Sequence, residues 1–205
     1  MGKPLARSVL VLLLFLPAAA ATTEPALLVT VGEVTDIAAV LWVRGHSPGP
    51  IGVQYGVSGG AKQQGAEIQV SAAGDFTGKL PLVALGPASR YRYTVSQGGS
   101  EVQGEFVTAP PPAAAASVRF VWSGDLGSRA QCRHVTQGYP IFRALARYRV
   151  DFFLFVGDTI YGDHACGGFD RVPGYDFVAR TLPEYRAKHR YNREDAAVQA
   201  YFRAL

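Results

Sequence analysis

The sequence predicts a multidomain β plus α/β chain, in which an N-terminal β-sandwich is followed by the first part of an α/β domain. Three observations carry this. Residues 25–108 alternate short apolar stretches with turn-forming residues, as an all-β sandwich does. Residues 118–156 place two apolar runs on either side of an amphipathic segment, the pattern of a βαβ unit. Between them, Pro110-Pro111-Pro112-Ala113-Ala114-Ala115-Ala116 forms a linker, because consecutive prolines favour an extended, semi-rigid spacer.

Residues 1–21 read as a Sec-type secretory signal peptide. Lys3 and Arg7 give the positive start, Ser8 to Leu16 the apolar centre, and Ala18 to Ala21 a small-residue cleavage region. The apolar centre is roughly half of the ~20 residues a spanning helix needs, so no stable membrane anchor is expected. No Arg-Arg pair precedes it and no Cys follows it, which gives no support to twin-arginine export or lipid attachment. The mature protein is expected in the periplasm or outside the cell.

Residues 22–109 form the expected sandwich. Its strands are Leu27 to Val31, Ile37 to Arg44, Ile51 to Tyr55, Glu67 to Ser71, Asp75 to Leu82, Tyr91 to Ser96 and Glu101 to Thr108. Ser47-Pro48-Gly49-Pro50, Gly59-Gly60 and Gly98-Gly99 supply turns between them. In Leu85-Gly86-Pro87-Ala88-Ser89-Arg90-Tyr91 the spacing of Leu, Pro and Tyr resembles the tyrosine corner of fibronectin type III domains. Trp42 is its expected core partner.

After the linker the expected order is a strand from Val118 to Ser123, a helix over about Tyr139 to Tyr148, and a parallel strand from Phe152 to Val156. Ile141, Leu145 and Tyr148 recur on one helical face, and Pro140 suits a first turn. Two further helices are expected at Pro183 to Arg190 and Arg193 to Ala204, with Asn192 capping the second. Val198, Phe202 and Leu205 form an apolar stripe with no evident partner, which predicts poor solubility. Two strands and three helices are too few for a complete layered core, so residues 117–205 read as an incomplete domain.

The chain carries a formal charge of +4 with 48% hydrophobic residues, a composition able to build packed cores. Its basic residues are densest between Arg171 and Arg203, mixed with Glu184, Glu194 and Asp195, which describes a solvated helical surface. No nucleic-acid partner is implied, since no recognised module is present. Cys132 and Cys166 are the two cysteines, and export makes them candidates for a disulfide, with a metal-bound thiolate as the alternative.

The candidate site lies where the two apolar runs end. Val118-Arg119-Phe120-Val121-Trp122 runs into Ser123-Gly124-Asp125, and Phe152-Phe153-Leu154-Phe155-Val156 into Gly157-Asp158-Thr159-Ile160-Tyr161. Open α/β sheets hold their ligands at such strand ends. An Asp after a strand often does no more than shape a turn. Two at equivalent ends of neighbouring strands, one of them within Gly-Asp-x-x-Tyr, point instead to metal. Asp125, Asp158 and Tyr161 are the candidate ligands, and a phenolate is a hard donor suited to ferric iron. Asp163 and His164 are close enough in sequence to join them, whereas His134 and His189 have no ligand-like spacing.

On these motifs the chain resembles the PhoD-like alkaline phosphatase and phosphodiesterase family. The features are the fibronectin-like N-terminal region, Arg119 to Asp125, Asp151 to Tyr161, and Tyr185-Arg186-Ala187-Lys188-His189-Arg190-Tyr191. The resemblance implies a calcineurin-like metallophosphoesterase domain with a dinuclear metal centre, iron with calcium or other divalent metals such as manganese or zinc. It implies a small phosphate ester as substrate, cleaved by a metal-activated hydroxide. Asp158 matches the bridging carboxylate and Tyr161 the iron-binding tyrosine. Asp125 stands where iron–calcium members carry a cysteine, and an Asp there is what other metallophosphoesterases use. The family's later Asp-Asp-His-Glu-type segment has no counterpart up to Leu205, so weak metal binding and little turnover are expected of this chain alone. The rival reading is an extracellular binding or adhesion module carrying a remnant phosphatase segment.

Overall fold

The computed structural model describes residues 27–127 and 131–204. The expected signal peptide, the first residues of the expected sandwich domain up to residue 26, and Leu205 lie outside the described residues.

Seven antiparallel strands build a two-sheet sandwich. One sheet contains β1 (Leu28–Gly32), β2 (Ala39–Arg44) and β5 (Thr77–Leu82), with β2 central. The other contains β3 (Gly49–Val57), β4 (Gln63–Val70), β6 (Arg90–Gln97) and β7 (Ser100–Val107), in the order β4-β3-β6-β7. Strand side chains alternate between faces, so every second residue is delivered to the space between the sheets. Val29, Leu41, Val43, Leu80 and Leu82 from one sheet meet Ile51, Val53, Tyr93, Val95 and Phe106 from the other, all at most 1% exposed. The tyrosine corner is formed: the Gly86 N–H donates to the Tyr91 hydroxyl at 2.7 Å.

Trp42 departs from the expectation. It alternates with the buried Leu41 and Val43, so it stands on the outer face of β2, where the Arg193 guanidinium lies 5.4 Å from its ring centroid. Gly49 and Pro50, expected in a turn, begin β3.

Beyond the linker, β8 (Phe120–Ser123) and β9 (Phe152–Phe155) pair in parallel through the helix α1 (Pro140–Leu145), giving the expected βαβ unit. The buried face of α1 is not the expected one. Phe142 is 2% exposed whereas Ile141 and Tyr148 are 53% and 68% exposed. The helix is only six residues long, and its burial is decided by what lies beneath. Phe142 meets the rings of Phe153, Tyr201 and Phe202 at 5.6–6.2 Å. The other face of this two-stranded sheet, bearing Phe120, Trp122, Phe152 and Leu154, is exposed, with Phe120 stacked on Phe152.

Helix α2 (Leu182–Arg193) leads to α3 (Ala196–Phe202). Asp195, not Asn192, caps α3, its Oδ1 accepting the N–H groups of Ala197 and Val198. Asn192 falls inside α2 because that helix continues past it. The apolar stripe on α3 is covered rather than bare: Val198 is fully buried in a cluster with Leu126, Tyr139, Phe142 and Tyr201, and Phe202 packs against it. The described part of that stripe therefore gives no ground for expecting poor solubility, and Leu205 lies outside the described residues.

The two regions share an interface despite the linker between them. Arg193 Nη1 donates to Thr30 Oγ1 at 2.7 Å, Arg190 Nη1 to Asp75 Oδ1 at 2.9 Å, and the Tyr93 hydroxyl to the Arg203 carbonyl at 3.0 Å. Among the described residues no helix is long and apolar enough to cross a membrane.

Candidate metal centre

The parallel register, with Phe120 opposite Phe152 and Ser123 opposite Phe155, brings both strands to the same end of the sheet. Pairing then continues into the loops. The Asp125 N–H donates to the Gly157 carbonyl at 3.2 Å and the Leu126 N–H to the Asp158 carbonyl at 3.0 Å. These bonds fix Asp125 and Asp158 side by side. Both have left-handed backbone, with φ of 55° and 49°, a conformation that costs energy in any residue with a side chain and recurs at functional sites. Both are exposed, so the carboxylates face solvent.

Tyr161 completes the group. Its hydroxyl donates to Asp125 Oδ1. The phenol is pushed up to about 12, first by this hydrogen bond and then by slight burial and the negative charges of Asp125 and Asp158. All three residues named by the sequence are thus brought together, and each offers oxygen. Such a donor set is chemically suited to hard cations. Among the described residues no group of three or more His, Cys, Asp or Glu side chains converges, so this constellation depends on its phenol.

The loop that carries Tyr161 is tied down from outside. Asn192 Nδ2 donates to the Thr159 carbonyl at 2.8 Å, the Tyr161 N–H donates to the Tyr175 hydroxyl at 2.8 Å, and the Ala179 N–H donates to the Gly162 carbonyl at 2.7 Å. Lys188 Nζ donates to the His164 carbonyl at 2.8 Å. His164 is therefore held through its backbone. Sequence reading missed Asn192, Tyr175 and Lys188. The available signal was helical spacing: Lys188, Tyr191 and Asn192 occupy i, i+3 and i+4 of α2 and are its buried residues.

Cys132 and Cys166 are joined in a disulfide, with their Cα atoms 5.9 Å apart. It links the loops after the two strands and lies in a buried cluster with Tyr175 and Tyr191. His134 organises a turn, its Nδ1 accepting the Thr136 N–H at 3.1 Å. His189 borders a cavity of about 200 Å³ between the sandwich and the helices, walled also by Val31, Phe153, Phe155 and Arg193. That space is smaller than the ~300–1,000 Å³ of typical small-molecule sites, and it lies behind the strand ends rather than over the carboxylates.

Comparison with known proteins bears on the fold and on residues 120–205. The family model described as PhoD-like phosphatase matches residues 120–205. A solved structure of PhoD superposes with a TM-score of 0.73 at 18% identity, covering 91% of this chain and 38% of its own. A weaker match is to the sensor domain of the anti-sigma factor RsgI4 in Pseudobacteroides cellulosolvens, at 13% identity and TM-score 0.38, covering 44% of this chain and 100% of that one. A fibronectin type III domain of the human collagen alpha-1(XX) chain gives 15% identity and TM-score 0.35, covering 49% and 100%. None of the curated proteins matches the sequence. The chain spans 38% of the PhoD structure, whose fold it shares, and its residues 120–205 match the family model described as PhoD-like phosphatase.

Proposed function

We propose that this chain is part of a secreted, metal-dependent phosphoesterase that hydrolyses small phosphate esters in the periplasm or outside the cell. The observation that carries the reading is the convergence of Asp125, Asp158 and the Tyr161 phenol at the ends of two paired strands. The buried disulfide supports an oxidising compartment.

Asp125, Asp158 and the Tyr161 phenol would hold the ions, Asp158 in the part that the resemblance gives to the bridging carboxylate. The centre would take iron with calcium, or divalent ions such as manganese or zinc. Ions so held supply Lewis acidity, lower the pKa of water and neutralise phosphoryl charge. The chain's own part is positional. Cross-strand hydrogen bonds hold the two carboxylates in their left-handed backbone, and the Asp125 carboxylate accepts the hydrogen bond of the Tyr161 phenol and so keeps it protonated. These three donors supply one portion of a metal shell, so metal binding by this chain alone is weak and turnover small.

The test is Asp158→Asn, because Asn tolerates left-handed backbone and preserves the turn. Thermal melts with added iron, calcium or manganese should show stabilisation of the native sequence that the variant lacks. In a complete enzyme, hydrolysis of a nitrophenyl phosphate ester should be lost with it. Metal stabilisation unchanged in Asp158→Asn defeats the assignment, and no metal effect in either protein favours the adhesion module.

A further inference from the structure

Tyr161 is held by more than its bond to Asp125. Its backbone N–H donates to the hydroxyl of Tyr175 at 2.8 Å, from a side chain only 4% exposed. Tyr175 is itself clamped. The ammonium of Lys188 lies 3.7 Å from the Tyr175 ring centroid and 4.7 Å from that of Phe177, and the Tyr191 ring packs on Tyr175 at 5.0 Å. A lysine with no exposed surface is rare, since burial penalises its charge unless the surroundings answer it. Here the answer is two aromatic faces, the negative charges of Asp163 and Asp176, and the carbonyl of His164, three residues beyond Tyr161. The clamp also meets the backbone at Cys166, whose N–H donates to the Tyr175 carbonyl at 2.9 Å, so the loop from Tyr161 to Cys166 is fastened along its length.

We propose that Tyr175, seated by Lys188, is a positioning residue that fixes the Tyr161 backbone and so aims the phenol at Asp125. The inference rests on the reading of Tyr161 as a metal donor. Neither Tyr175 nor Lys188 contacts the ion; both act through Tyr161. Hydrogen-bond partners standing behind a metal donor are commonly worth about 10–100-fold in affinity.

Tyr175→Phe keeps the ring that Lys188 grips and removes only the hydroxyl that accepts from Tyr161. Amide hydrogen exchange on the metal-free chain should show the Tyr161 N–H exchanging at least tenfold faster, with the core amides of Leu41 and Val95 unchanged. Lys188→Met tests the clamp from its other end and should quicken the same amide several-fold. An unchanged Tyr161 amide in either folded variant, or equal acceleration at Leu41 and Val95, overturns the proposal. Metal titration supplies the second arm. Tyr175→Phe should weaken manganese or iron binding about tenfold, yet add nothing in a Tyr161→Phe background, because a residue acting through Tyr161 has no route left. An equal loss in both backgrounds also overturns it. A native chain that binds no metal defeats the phosphoesterase reading alone, since the exchange measurement needs none.

Discussion

The Tyr161 hydroxyl gives its hydrogen bond to Asp125, across 36 residues of sequence and from one strand end to the other. A phenol so engaged must give up its proton to bind a cation as phenolate, and in the folded chain that proton stays on Tyr161, hydrogen-bonded to Asp125. With its ordinary value of 10 raised to about 12, Tyr161 stays neutral in the folded chain well above physiological pH. The raised value favours the protonated fold below pH 10 and loses that effect as pH climbs through 12. Metal uptake runs the other way. Affinity should rise with pH, with a proton released from Tyr161 as the ion enters. Calorimetric titration in buffers of different ionisation enthalpy measures that proton. Tyr161→Phe should release one fewer and flatten the pH dependence, and identical release in both proteins contradicts the assignment.

How much of this was legible in the sequence follows from which residues obey local rules. The sandwich strands and the parallel pair could be read from alternation and apolar runs, and the two strand ends located Asp125 and Asp158 without structural help. Residues whose burial depends on distant partners could not be read in this way. Trp42 looks like a core aromatic until Arg193 of α2 is seen beside it. Val198 and Phe202 look uncovered because α1 and β9, which cover them, lie far back in the chain. Lys188 reads as a solvated helix residue, since only the fold supplies the aromatic faces of Tyr175 and Phe177.

Asp75 should make the docking of α2 on the sandwich sensitive to acid. Burial opposes its ionisation, but Arg44 and Arg190 outweigh that and hold the carboxyl below its ordinary 3.8. A lowered value means stability that is present above pH 3.8 and is lost as pH falls through the folded value. Asp75→Asn suits the left-handed backbone at φ 54°, but removes the charge and replaces one of the two oxygens that accept from Arg44 and Arg190 with an amide donor. It should cost about 1.5–3 kcal/mol, the range for hydrogen bonds to charged groups, and weaken the dependence of the melting temperature on pH below 4.

The disulfide should matter most to the loops bearing the site. Cys132 and Cys166 are 34 residues apart, and closing a loop of that size contributes roughly 3–4 kcal/mol in the chain-entropy model. Replacing both by Ala should lower denaturant stability by about that amount. Protease should then cut between residues 131 and 176 before it cuts the sandwich. Equal susceptibility of the two regions would show that the bridge is not what holds those loops.

Neighbouring positions on α1 give the sharpest test of the second core. Phe142 is 2% exposed and surrounded by Phe153, Tyr201 and Phe202, whereas Ile141 is 53% exposed. Truncating a buried Phe removes its transfer energy and leaves a cavity, so Phe142→Ala should cost about 3–5 kcal/mol. Ile141→Ala touches no core contact and should stay within about 0.5 kcal/mol of the native chain. Urea melts of the two variants separate the faces. If Ile141→Ala proves the more damaging, α1 is rotated, and α3 must find its partner elsewhere.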